Sequence, residues 1–246
     1  MRLAEKSPGQ PSKFKNLAYE TLGGYKTQFE LRTIRNVIIK QNSPQGDDFS
    51  MFEVFNRLHT GGVNLSPQEI RMSMYHSDFY TMLYGLNSQA NWRRRLSLSE
   101  PDLHPKDLEL LLRGIVLLVD LSSNAPSMVR FLNQFSIKAK KYTSEENKYL
   151  SGLATSFFNQ CSGLPSDAFI NKKNRGINAA VFEATFVAAC KQPFSNRSLL
   201  NQPLTIESLH ELESDSIFLD AMKEGTTQTK NVTDRIRRAE VILGGF

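Results

Sequence analysis

Cysteine is nearly missing from this sequence, with two in 246 residues, Cys161 and Cys190. They stand far apart in apolar stretches, without CxxC or Cys/His spacing, which argues against a zinc site. Buried free thiols in a reducing compartment are expected instead. Histidine is almost as sparse: His59, His76, His104 and His210 are the four present, and no two share the HxxxH spacing of a metal-binding helix. An HNH nuclease arrangement is not recognisable, since His104 before Pro105 reads as a helix start. GxSxG and GxxxxGK[ST] are both missing, and neither cysteine has a histidine nearby. No catalytic constellation is complete in this chain, and no metal ligand set is expected from its residues. Long apolar runs are lacking too. The longest, Gly114 to Leu121, contains Asp120 and falls far short of the roughly 18 residues of a membrane span. The opening residues, MRLAEKSPGQPSKFK, place no hydrophobic segment behind their charges, unlike a secretory signal. A cytoplasmic address and no membrane partner follow as expectations.

What the chain does have is enough apolar material, 40% of its residues, to build a sizeable core. Its formal charge of +5 permits contact with nucleic acid without requiring it. Three basic clusters bear on that. Trp92, Arg93, Arg94 and Arg95 set an aromatic ring beside three guanidinium groups, a combination that can stack on a base or hold phosphates. Lys138 to Lys141 and the run Arg235, Ile236, Arg237, Arg238 fall in helical segments, where cations also suit the C-terminal end of the dipole. Each cluster can equally be a solvated helix face. DNA is thus a candidate partner, with Trp92, Arg93, Arg94, Arg95, Arg235, Arg237 and Arg238 as the candidate contacts.

Along the chain, residues 1–15 mix prolines, a glycine and basic residues and read as an exposed lead-in. After loosely periodic residues from Leu17 to Phe29, the run Arg32 to Lys40 is rich in Ile and Val and predicts a strand. No second run of that quality follows, so the strand needs a partner from elsewhere. From Met51 onward the period is helical. Met51, Phe52, Phe55 and Leu58 are expected to line one face, and Gly61 and Gly62 to supply its stop. Ser66, Pro67 and Glu69 form a capping box that opens a helix from Pro67 to about Tyr75. Asp78 opens another, with Phe79, Met82, Leu83 and Leu86 inward. The stretch Asp107 to Leu121 is apolar nearly all round and predicts a buried helix. Further helices are expected over Ser127 to Lys141, Ser144 to Gln160 behind a second box at Thr143 and Glu146, Ile177 to Cys190, Ile206 to Leu212, and Val232 to Leu243. Pro193 to Pro203 reads as a loop. The fold class is mainly α: a helical bundle over 79–246, preceded by a short α/β remnant over 16–78.

The most distinctive stretch is FEVFNRLHTGGVNLSPQEIR, Phe52 to Arg71. It is a helix, a glycine-stopped turn and a capped helix. Arg57, the open amides of Gly61 and Gly62 and the partial positive charge behind Ser66 gather at a corner that suits an anion and equally makes a structural elbow. This stretch resembles the motif FxRLNxGGxxLxxQEIR of the N-terminal domain family of GmrSD-type restriction endonucleases, whose core is ParB/sulfiredoxin-like. The likeness continues more weakly through DLELLLRGIVLL, MVRFLNQF, RGINAAVFEA and NVTDRIRRAEVIL, spanning nearly the whole chain.

The resemblance implies a ParB/sulfiredoxin-like identity for the α/β remnant and a part in anti-phage defence, the restriction of modified phage DNA driven by a nucleoside triphosphate and a divalent metal. It offers Arg57, His59, Gly61, Gly62, Gln68 and Arg71 as nucleotide-facing or DNA-facing candidates. Two departures qualify it. The family's DGQQR motif is missing, and His59 stands where the motif has asparagine, with different donors and acceptors. The expected role is therefore a truncated or split subunit, not catalytic alone, whose partners would be a separately encoded DGQQR-bearing lobe and an HNH nuclease. A gene fragment and a start lying further upstream fit the same gap. The rival expectation is a non-enzymatic helical module that binds DNA or protein and regulates a defence complex.

Overall fold

The computed structural model describes residues 17–33, 38, 49–59, 65–102, 105–121, 127–171, 175–223 and 225–244. Its chain falls into two units, 1–42 and 43–246. In the first, a 3-10 turn over Tyr19–Thr21 precedes helix α1 (Tyr25–Glu30). Gly23 supplies the left-handed backbone between them, with φ +53°. The Tyr19 hydroxyl donates to Glu30, and the Tyr19 ring meets Phe29 edge-on at 6.0 Å. The strand expected over Arg32 to Lys40 lies mostly outside the described residues, and Ile38, which is described, is exposed.

The second unit is helical: α2 (Phe49–His59), α3 (Pro67–Met74), α4 (Asp78–Asn87), α5 (Ala90–Arg95), α6 (Lys106–Asp120), α7 (Met128–Ala139), α8 (Ser144–Gln160), α9 (Ala179–Ser195), α10 (Ile206–Ser214), α11 (Ser216–Asp220) and α12 (Thr229–Leu243). Among the described residues the β structure is a single bridge, Ile170 to Ile177. The protein is mainly α, as its period implies.

Both expected capping boxes form. Ser66 Oγ accepts from Glu69 N at 3.3 Å while Glu69 Oε2 accepts from Ser66 N at 2.6 Å, and Thr143 and Glu146 do the same at 3.2 and 2.7 Å. Each box satisfies two backbone donors that the helix itself cannot. Helix α8 spans the residues its pattern predicts. Helix α9 holds the centre, packed against α6, α8 and α12, and every residue from 181 to 190 is buried. Such a helix has no solvent face, so its apolar residues run continuously rather than in a stripe.

Three expectations are corrected. Leu58 is 58% exposed, whereas Phe52 is buried. Steps of three residues turn back by about 60° each on a helix, so Leu58 has drifted well away from the Phe52 face. Helix α9 starts later than Ile177, because Ile177 is taken by the bridge and Asn178 caps the helix through Val181 N. It also continues through Pro193 to Ser195, where a loop was expected. Pro193 withholds only the N–H that Ala189 O would accept, one bond in the last turns of the helix; the end itself is closed by Ser198 N donating to Pro193 O at 2.9 Å and the Tyr149 hydroxyl donating to the same carbonyl at 3.1 Å.

Close packing at the centre generates a prediction of opposite signs. A Cβ at Gly114, on α6, would meet Phe186 at 3.1 Å and Phe182 at 3.2 Å, whereas one at Gly85, on α4, would meet nothing within 4 Å. Gly114→Ala is expected to destabilise by about 1–3 kcal/mol through overpacking. Gly85→Ala should stabilise by about 0.5–1 kcal/mol through helix propensity. Denaturant unfolding of both variants reads the contrast, and a stabilised Gly114→Ala would show that the two rings yield.

Candidate functional site

The elbow motif divides in two. Arg57 lies in the last turn of α2 with its side chain exposed. His59 is the last residue of that helix, while Gly61 and Gly62 lie outside the described residues. Gln68 and Arg71, one turn apart on α3, point inward with 2% and 0% exposure. Arg71 donates from Nε to Asn133 Oδ1 at 2.9 Å and from Nη1 to Gln68, and the same Nη1 stands 3.4 Å from Glu109 Oε2. Above this cluster the Tyr80 hydroxyl meets Ser136 Oγ at 3.0 Å, and burial pushes that phenol up to about 12. Of the six elbow candidates, Arg71 thus clamps α3 to α6 and α7, and Gln68 braces Arg71 from within α3.

The basic clusters turn inward as well. Trp92 is fully buried, stacked on Phe158 at 5.2 Å and tilted against Phe182 at 5.1 Å, with its indole nitrogen donating to Asn87 Oδ1. Arg93 pairs with Asp107 at 2.7 Å and also donates to Asn87 and to the Glu100 carbonyl. Arg95 donates to the carbonyls of Leu164 and Pro165. Of the four, only Arg94 is exposed. In the last helix Arg235 is 2% exposed and donates to Ala221 O, Arg238 pairs with Asp215 at 2.6 Å, and Arg237 faces out. Lys138 pairs with Asp120, and Lys140 donates to Met74 O. The indole, Arg93, Arg95 and Arg235 serve as internal ties, while Lys138 and Lys140 make their bonds at the surface, because the short polar segments around the buried groups carry backbone carbonyls and carboxylates that need donors.

The third tie is ionic and deep. Glu183 on α9 is 1% exposed, with its carboxylate 2.6 Å from Arg113 Nε on α6 and 3.8 Å from Arg235 on α12. The Arg113 approach is a charge contact rather than a directed hydrogen bond. Burial raises the Glu183 carboxyl above the usual range, opposed by Arg113 and Arg235, and burial lowers Arg235. Asp107, Glu109, Asn133, Arg113 and Glu183 were all missed as candidates. Glu183, inside AAVFEATFVAAC, left the clearest signal: one charge in an apolar helix must meet an opposite charge.

Both cysteines are free and buried, as expected; burial pushes the Cys161 thiol up to about 12 and Cys190 well above its ordinary value. Among the described residues no three His, Cys, Asp or Glu side chains gather in a way that could hold a metal, and no helix is long and apolar enough to cross a membrane. No family model, curated protein or solved structure matches this chain.

Two outcomes follow from these ties. Arg71→Ala is expected to cost about 3–5 kcal/mol in denaturant unfolding, since it strands Gln68, Asn133 and Glu109 around an empty space; a loss below about 1 kcal/mol would reduce the cluster to a surface pair. Asp215 is held below the usual carboxylate range, chiefly by its hydrogen bond from Arg238 and then by Phe218 N. A lowered folded-state value contributes stability that is complete above the ordinary aspartate range and drains as the pH falls through the lowered value. Asp215→Asn keeps an acceptor for Phe218 N and removes the charge. Its melting temperature should therefore fall less steeply with acidification than that of the parent, and parallel curves would refute the assignment.

Proposed function

We propose that this chain is the helical part of a GmrSD-like, nucleotide-dependent system that restricts modified phage DNA, acting with a DGQQR-bearing α/β lobe and an HNH nuclease supplied outside these 246 residues. One observation carries the reading. Two of the polar ties in the interior join stretches that resemble the family. QEIR meets DLELLLRGIVLL and MVRFLNQF through Arg71, Glu109 and Asn133. DLELLLRGIVLL meets RGINAAVFEA and NVTDRIRRAEVIL through Arg113, Glu183 and Arg235. A sequence likeness whose pieces interlock supports a shared architecture better than scattered matches do.

In this reading residues 16–78 are the remnant of a ParB/sulfiredoxin-like lobe, and the segment Arg32 to Lys40 pairs with strands of the missing part. The nucleoside triphosphate and divalent metal act in the completed assembly. Arg57, exposed at the elbow, is the side chain best placed to reach a nucleotide or DNA there, whereas Gln68 and Arg71 hold the elbow to the bundle. A second reading is favoured by the inward turn of Trp92, Arg93, Arg95 and Arg235. With those groups committed internally, the chain would work as a non-enzymatic module that binds protein more readily than DNA.

Co-expression with a DGQQR-bearing lobe of this family separates the two. The first reading expects a stable pair that hydrolyses nucleoside triphosphate with magnesium, while the chain alone does not, and expects Arg57→Ala to lower turnover of the pair about tenfold or more. Failure of such a pair to associate, or turnover by the chain alone, would overturn it. A pair that forms without hydrolysis supports the second reading.

A further inference from the structure

The C-terminal end of α9 carries a residue that backbone physics does not favour. Ser198 N donates to Pro193 O and Arg197 N to Phe194 O, the paired bonds of a Schellman stop, which place Arg197 at the left-handed position. Its φ is +54°, where glycine is the usual residue because no Cβ crowds the backbone. The side chain retained at that cost lies over the Tyr149 ring, 4.6 Å from its centroid. Tyr149 is itself fixed by its hydroxyl bonds to the Pro193, Phe194 and Ser198 carbonyls. The guanidinium is therefore oriented by stacking, while none of its own donors meets a protein acceptor among the described residues.

Arg197 borders a cleft of about 390 Å³ with Val119, Leu150 and Phe194 among its apolar walls and Tyr142 and Glu146 among its polar ones. That volume falls within the roughly 300–1,000 Å³ usual for small-molecule sites. Glu146 is held rigidly by the capping box, through Oε2 to Thr143 N and Oγ1 at 2.7 and 2.9 Å, which leaves Oε1 open. Those bonds hold its carboxyl below the usual range, so it is ionised at neutral pH. Arg197 is near enough to act on Glu146 electrostatically, yet no ion pair joins them. A fixed anion and a fixed cation thus border one apolar hollow without neutralising each other.

We propose that this cleft binds a free α-amino acid with an apolar side chain, its ammonium on Glu146, its carboxylate on Arg197 and its side chain over Val119, Leu150 and Phe194. One ligand carrying both charges satisfies both walls, whereas a simple anion or cation would leave the other wall unmatched. The proposal is independent of the GmrSD-like reading.

Calorimetric titration of the full chain with L-leucine and L-phenylalanine, each compared with its N-acetyl and carboxamide derivatives, tests it. Saturable binding of at least one free amino acid is expected, weakened about tenfold or more when either charge is blocked. Glu146→Gln keeps an acceptor for the box, and Arg197→Gly relieves the backbone, so both variants should fold and each should lose about tenfold or more in affinity. No saturable binding of either amino acid at millimolar concentration, equal binding of the blocked forms, or unchanged affinity in the two variants would overturn the proposal.

Discussion

A carboxylate on a helix without a solvent face must take up a proton or meet opposite charge, and Glu183 meets two guanidiniums. Its helix, α9, is enclosed by others, so the guanidiniums must come from the two helices beside it, Arg113 on α6 and Arg235 on α12. Placing those three groups together fixes how far α6 and α12 can slide along α9. The net stability gained is modest, because removing each ion from water offsets most of the attraction, but a slip of one turn would leave a buried charge unpaired. Aromatic rings then fill the space around the tie: Phe182 and Phe186, on the same helix, stack with each other and meet Phe157 edge-on.

The same constraint decides what the basic residues do. A formal charge of +5 invites a nucleic-acid reading, yet Arg71, Arg93, Arg95 and Arg235 are all at most 5% exposed. The guanidinium group suits this use: it offers five donors in one plane, so Arg93 can bridge a carboxylate, an amide oxygen and a backbone carbonyl at once. Net charge counts such groups as if they faced water. What the surface presents is set by the remainder, which includes Arg94 and Arg237 from the two clusters that looked most like a DNA footprint.

Helices were legible where the signal is local. Ser66 with Glu69 and Thr143 with Glu146 announce their helix starts by residue type and spacing, and the structure forms both boxes. The long buried helix α6 was legible from its apolar surround. Legibility ended where the deciding partner is distant in sequence. Helix α9 runs past Pro193 to an end closed from a distance, where the Tyr149 hydroxyl, 44 residues earlier, donates to Pro193 O. Short helices such as α5 and α11 span too few turns to show a period, and the Asp215 cap of α11 lacks the reciprocal glutamate of a box. Within the elbow, Gln68 and Arg71 could not be told from Arg57 by residue type, because a polar side chain serves equally well as a buried tie or an exposed contact. Only the phase of α3 against α6 and α7 separates them.

That separation constrains how the elbow can work. The α3 side is pinned twice, by the Ser66 and Glu69 box at its first turn and by Arg71 reaching Asn133 one turn further on. On the α2 side Phe52 is a buried anchor and Leu58 turns to solvent. The Arg71 side would have to break a buried, charge-assisted network to move. The two halves of one short motif thus differ in what they face, Gln68 and Arg71 turned into the bundle and Arg57 to solvent, although both are written in the same kinds of residue.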